Sequence, residues 1–439
     1  MRLPAAMLAQ VGPGSFLRRI LVLSSGTTLA QLIQLVSMPV VAQLFTPAEV
    51  GVWLVFTNVV MAGAVVGCWR LECGVMIERD AHAVAVLLAS AIGALGASTM
   101  VGLLVFIALR WFGGLGSPEV PYGMSWLFPP ALLGAGVYLL MRQLRLRAGD
   151  YRSIAHATWL RALIANVMRI GLGLFGFGVE ALVVSETAAP WLTLVILRQS
   201  WLGQLMAYRY PFTREEFGVV MRRNQRFPLL ETPSALVDQL ALMLPITAIA
   251  MLFGPAQAGL FGLAYRLVAL PNAQIGSAIG DVFFAQMATY VRTGDLTAAA
   301  RLYWRMAAQL ALVSVGLTVA AIVLAPSLVP LILGEPWRPA GRYAAIIAPW
   351  VYAGLAVAPL SSALSVLKRQ DLKILYNVVN MSLLLVVFVV ARRCSLDPGS
   401  AITVLTAGQV ASYIFYFMLI ATAVQQARRR YWARDECQS

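Results

Sequence analysis

Twelve long apolar runs limit what this chain can fold into. They fall at about 20–45, 52–77, 83–112, 126–146, 154–177, 181–207, 233–253, 258–291, 299–333, 343–367, 374–391 and 401–424. A run of roughly 20 apolar residues crosses a bilayer as a helix, which satisfies its own backbone polar groups where no water is present. The pattern therefore predicts an all-α polytopic membrane protein with about twelve transmembrane helices. Charged residues make up 12% of the chain, about half the share of a soluble domain. The third, eighth and ninth runs exceed the crossing length, so they tilt or extend beyond the bilayer.

The net charge of +14 has to be read by position. Most of the 33 basic residues lie in the tails and at alternate connections, including Arg18, Arg19, Arg145, Arg147, Arg222, Arg223, Lys368 and the run Arg428–Arg430. The opposite connections hold Arg110, Arg338, Arg342, Arg392 and Arg393. This bias predicts cytoplasmic N- and C-termini. No nucleic-acid-binding fold or aromatic pattern accompanies the basic residues, so nucleic acid is not an expected partner. Cys68, Cys73, Cys394 and Cys437 lack ligand spacing, and His82 and His156 are the two histidines, so no metal site is expected. The N-terminus lacks the pattern of a cleaved signal peptide.

An internal repeat organises the runs. Leu44 to Gly51 reads LFTPAEVG and Leu252 to Gly259 reads LFGPAQAG, with Gln31 and Gln239 at the same offset. Pro129 and Gly134 match Pro349 and Gly354, and the turns that follow carry Asp150-Tyr151-Arg152 and Asp371-Leu372-Lys373. The chain thus reads as two six-span halves, 1–213 and 214–439. An even number of spans per half makes the repeats parallel, an arrangement that places a substrate site between them.

Apart from those near the run ends, five basic residues fall deeper inside the runs: Arg70, Arg161, Arg169, Arg198 and Arg266. Ionisable groups at membrane depth are costly, so they pair with one another or face a watery cavity. Arg169, Arg266 and Asp238 fall deepest and are expected at a cavity. Arg161, Arg198, Glu72 and Asp281 are expected to pack structurally or to reach the headgroups. Gln31 and Gln34 share a helix face by their spacing. Prolines at 39, 129, 130, 190, 245, 271, 326 and 349 interrupt the runs. No Walker motif is present, so an ATP-driven pump is not expected.

Three stretches carry a family resemblance: SALVDQLALMLPITAIAMLFGPAQAGLFGLAYRLVALPNAQIGSAIGDVFF, LILGEPWRPAGRYAAIIAPW and RLECGVMIERD. They resemble the Wzx-like oligosaccharide flippases of the MOP superfamily, which also holds multidrug/cation antiporters and the lipid II flippase. The resemblance implies two six-helix bundles in a V shape and a location in the bacterial inner membrane. It implies movement of undecaprenyl-pyrophosphate-linked oligosaccharide between leaflets for O-antigen or exopolysaccharide synthesis. A polysaccharide polymerase and a chain-length regulator are its implied partners, beside membrane lipid.

Under that resemblance Arg70, Arg169 and Arg266 would hold phosphate oxygens, and Gln31, Gln34, Gln239 and aromatic side chains would contact sugar. Asp238 would bind a coupling proton or monovalent cation, or neutralise an arginine, with Glu72 and Asp281 as further acids of this kind. No cofactor is implied. The family often carries cavity arginines in its first two spans, whereas here the first span has only Arg18 and Arg19 at its start. A cation antiporter of the same fold would carry a cavity of acids, which the arginine surplus opposes. A membrane-embedded polymerase or ligase would need an extracytoplasmic catalytic loop, which the short connections do not supply.

Overall fold

The structure, a computed structural model, describes residues 13–78, 80–111, 123–196, 214–367 and 369–435. Arg198 and Cys437 lie outside them. Among the described residues the regular structure is helical throughout. The helices are α1 (Pro13–Leu44), α2 (Pro47–Gly67), α3 (Leu71–Ile77), α4 (Ala81–Trp111), α5 (Gly123–Arg147), α6 (Tyr151–Leu174), α7 (Val179–Ile196) and α8 (Arg214–Asn224). They continue as α9 (Thr232–Phe253), α10 (Pro255–Thr293), α11 (Leu296–Leu333), α12 (Arg338–Val357), α13 (Ser362–Val366), α14 (Gln370–Arg393) and α15 (Pro398–Asp435). Among the described residues the twelve long runs are built of helices, the second and the tenth run being broken. Nine of these, α1, α2, α4, α5, α9, α11, α12, α14 and α15, contain described segments long and apolar enough to cross a membrane. The other three, α6, α7 and α10, hold Arg161, Arg169, Glu186 and Arg266.

The helix ends follow from local chemistry. Thr46 opens α2 with a capping box: its hydroxyl accepts from the Glu49 backbone N–H at 3.4 Å, and Glu49 accepts from the Thr46 N–H at 2.7 Å. The repeated turn before α10 makes the same reversal differently. Gly254 adopts φ +85° there, which only glycine takes without strain, and Pro255 starts the next helix. Asp150 caps α6 through the Ser153 N–H at 3.1 Å, and Asp295 caps α11 through the Ala298 N–H at 2.8 Å. The helices continue through every proline named above.

The second apolar run is not one helix. It breaks at Trp69 and Arg70, whose φ angles of +52° and +55° are left-handed. Each such residue costs roughly 1–2 kcal/mol relative to the right-handed form. The Trp69 indole N–H donates to Ser98 Oγ at 3.2 Å and helps hold the break.

The chain divides into two compact units, 1–256 and 257–439. In the first, α2 packs against α4, α5, α7 and α9, and α1 lies along α6. Leu71, Val75, Val84, Leu87, Leu95, Leu140 and Leu194 form a core between α3, α4, α5 and α7. In the second, α12 packs between α11 and α15, with α14 against α15. Its core gathers Phe283, Met287, Tyr303, Leu310, Leu360, Leu364, Tyr376 and Ile420.

The repeat has a structural counterpart inside each unit. Gly134 of α5 leaves room for the indole of Trp191 on α7, whose N–H donates to the Pro130 carbonyl at 2.8 Å. Gly354 of α12 leaves room for the phenol ring of Tyr413 on α15. In both units an aromatic side chain of the sixth span therefore sits on a glycine of the fourth.

Candidate functional site

The densest buried charge in the first unit lies where α1, α6 and α7 meet. Arg161 and Arg169 stand eight residues apart on α6, about 12 Å along the axis, and so share one side of the helix. Both reach the same acid, Glu186 of α7. Arg169 Nη2 lies 3.3 Å from Glu186 Oε2, and Arg161 Nη2 lies 3.5 Å from Oε1. Arg169 also donates to Asn166 Oδ1 at 3.1 Å, which accepts in turn from Ser37 Oγ of α1 at 2.8 Å.

Rings complete the surroundings. The Arg169 guanidinium stands 4.1 Å from the centre of the Trp53 ring, and that of Arg161 stands 5.0 Å from the Tyr138 ring. Cations over aromatic faces are stabilised most when desolvated. Two guanidiniums share one carboxylate, so the cluster carries a net positive charge. A buried charge needs compensation from pairing and hydrogen bonds, and this network supplies it.

The sequence-derived candidates are distributed as follows. Arg169 is only 6% exposed, held inside this network rather than open to a cavity. Gln34 is exposed, and only its backbone carbonyl, which accepts from Ser37 Oγ within the helix, touches the neighbourhood of Asn166. Gln31 is half-buried, and its Oε1 is enclosed without a hydrogen-bond partner. Arg70 occupies the break after α2 and lies 3.6 Å from Glu72, which is buried. Asp238 is exposed and Gln239 half-buried on α9. Arg266 is exposed on α10. The side chain of Asp281 lies outside the described residues.

The structure thus joins Arg161 and Arg169 through Glu186, sets Asn166 and Ser37 beside Arg169, and pairs Arg70 with Glu72, while no bond of the Gln34 side chain to this network is seen among the described residues. Glu186, Asn166, Ser37 and Trp53 were not among the residues singled out from sequence. Glu186 had a usable signal: it is an acid inside the apolar run that follows Ala181. The others look like ordinary helix residues until the packing of α1, α2 and α6 brings them to Arg169.

The second unit is rich in aromatic pairs beside neutral polar groups. Tyr265 and Trp350 have ring centroids 5.4 Å apart, and Tyr376 stacks on Tyr416 at 3.8 Å. Ser412 Oγ donates to Asn380 Oδ1 at 3.0 Å, and the Tyr343 hydroxyl donates to Gln257 Oε1 at 2.7 Å. Gln257 is the repeat counterpart of Glu49, so the equivalent positions serve different bonds. Among the described residues no group of three or more His, Cys, Asp or Glu side chains is arranged to hold a metal.

Comparison with known proteins gives this arrangement a family. Residues 82–342 match the family described as polysaccharide biosynthesis protein. The succinoglycan biosynthesis transport protein ExoT of Rhizobium meliloti (strain 1021) is 24% identical over 262 residues, covering 57% of this chain and 49% of that protein. The match therefore spans about half the length of that relative.

Solved structures share the fold. An inward-facing multidrug resistance MATE family transporter of the MOP superfamily superposes with a TM-score of 0.66 at 14% identity, covering 94% of this chain and 99% of the other. The lipid II flippase MurJ, in an inward closed conformation, gives 0.67 at 8% identity, covering 94% and 92%. A MOP superfamily transporter from Pyrococcus furiosus, described as having a binding pocket of reverse polarity, gives 0.58 at 13% identity, with 99% of both chains covered. These likenesses establish a MOP superfamily fold.

Proposed function

Because this chain belongs to the polysaccharide biosynthesis protein family, we propose that it moves undecaprenyl-pyrophosphate-linked oligosaccharide across the bacterial inner membrane for surface polysaccharide synthesis. The observation that carries this reading is the sign of the interior charge: among the described residues Arg161 and Arg169 both pair with Glu186, two guanidiniums on one carboxylate. A basic interior favours an anionic headgroup, and guanidinium forks match phosphate oxygens in two-point contact. An exporter of organic cations calls for the opposite sign.

In this reading Arg70, Arg169 and Arg266 serve the pyrophosphate, while Gln31, Gln34 and Gln239 serve the sugars. Asp238 takes a coupling proton or monovalent cation, or balances an arginine, as do Glu72 and Asp281. The repeat halves are 1–213 and 214–439, with both termini cytoplasmic. A polysaccharide polymerase and a chain-length regulator would consume the product.

The direct test is reconstitution in liposomes with undecaprenyl-pyrophosphate oligosaccharide, scored by headgroup access from the far side. Transfer that requires the protein supports the reading. Folded protein that transfers none of it, but exchanges an organic cation, overturns it.

A further inference from the structure

A second basic feature lies apart from the Glu186 cluster, at the turn between α5 and α6. There a narrow, open cleft lies between α5, α6 and α7, which pack on one another. Arg142 and Arg145 of α5 stand at it, and Tyr138, Ala157 and Leu194 supply apolar wall. Arg145 pairs through Nη1 with Asp150, while its Nη2 is enclosed without a hydrogen-bond partner. Asp150 is already engaged, accepting from the Ser153 N–H at 3.1 Å. Two guanidiniums therefore meet one occupied carboxylate above an apolar wall.

We propose that this cleft binds an anionic phospholipid, its phosphate on Arg142 and Arg145 and its first acyl carbons along Tyr138, Ala157 and Leu194. Charge selects this occupant. Among the described residues two guanidiniums stand here with one carboxylate, and the net single positive charge matches a phosphodiester, which carries one negative charge, better than a pyrophosphate. The arginine bias along the chain predicts this turn at the cytoplasmic leaflet, where basic pockets between helices meet anionic headgroups. The Tyr138 ring also lies under Arg161, so an occupied cleft would brace the helix that carries the buried charge cluster. The site is independent of the transported substrate.

Native mass spectrometry of the purified full chain tests it, with phosphatidylglycerol and phosphatidylcholine titrated separately. Retained phosphatidylglycerol with little phosphatidylcholine is the expected result, and equal retention overturns the proposal. Arg142→Gln removes charge at the rim, and Ala157→Leu fills the wall. Each should lower retained phosphatidylglycerol severalfold, and undiminished retention in both overturns the site. Competition separates the sources of phosphate. Displacement by inorganic phosphate assigns the cleft to a free anion, and displacement by undecaprenyl phosphate at lower concentration assigns it to the carrier lipid; either result overturns the phospholipid. The wild-type comparisons need no variant, so a poorly folding substitution leaves the proposal open to refutation.

Discussion

Arg169 Nη2 lies 3.3 Å from Glu186 Oε2, deep between α6 and α7, with Arg161 on the other oxygen of the same carboxylate. This pairing divides the candidate arginines into two kinds. Arg169 is buried and paired within the first unit and, in the proposed function, also binds phosphate. Removing one member of a buried pair leaves the other uncompensated, at a cost of roughly 3–5 kcal/mol. Glu186→Ala should therefore lower the membrane level of the protein and its thermal midpoint in detergent. The double variant Arg169→Met/Glu186→Leu should recover much of that stability, because it removes both charges. Export that stays low in the recovered double variant assigns Arg169 or Glu186 to transport. Export that returns with stability makes the pair structural.

Much of this architecture was legible before any coordinates. The described parts of the twelve apolar runs are helical, because length and apolarity favour a helix in a bilayer. The repeated octapeptides became the two helix reversals at Thr46 and Gly254. The break at Trp69 and Arg70 was not legible, since neither residue favours a left-handed backbone and only tertiary contacts such as Trp69 to Ser98 reveal it. Depth along the run suggested an open Arg169. Burial instead depends on which neighbour carries Glu186, and a run of apolar residues does not specify that.

The glycine pockets of the two units predict matched defects. A Cβ on Gly134 would stand 2.5 Å from the Trp191 ring nitrogen, and one on Gly354 would stand 3.1 Å from the Tyr413 hydroxyl. Overpacking of this kind typically costs about 1–3 kcal/mol. Gly134→Ala should lower the thermal midpoint more than Gly354→Ala, because its contact is tighter and its Trp191 is hydrogen-bonded to Pro130. Adding Trp191→Leu to Gly134→Ala should restore part of the loss. Additive losses in the double variant would place the strain elsewhere.

Asp150 gives a pH-dependent prediction outside the spans. Burial raises its carboxyl pKa, but the Ser153 side-chain and backbone bonds and the Arg145 guanidinium outweigh that effect, so the folded value lies below the ordinary one. A lowered carboxylate pKa stabilises the fold above the unfolded value, about 3.9, and that contribution is lost as pH falls through the folded value. Asp150→Asn keeps an N-cap acceptor but loses the charge opposite Arg145, so it should reduce stability at neutral pH by up to about 1 kcal/mol, the scale of a partly exposed ion pair. The gap between wild type and variant should close below about pH 4. A gap that persists in acid assigns the loss to packing of the α5–α6 turn and not to the charge.

Arg266 provides the contrast to Arg169. It lies on α10 in the second unit and is exposed, whereas Arg169 is enclosed. Its removal should therefore lower the thermal midpoint less than the removal of Glu186 does, since a buried pair left half-occupied costs most. In the proposed function the same side chain offers a guanidinium to the pyrophosphate. Arg266→Ala should then reduce export strongly at a normal membrane level, and Arg266→Lys should recover only part of it, since an ammonium lacks the two-point fork. Export measured as surface polysaccharide per unit of membrane protein decides the matter. Unchanged export in Arg266→Ala removes this residue from the site, and full recovery by lysine reduces its role to charge alone.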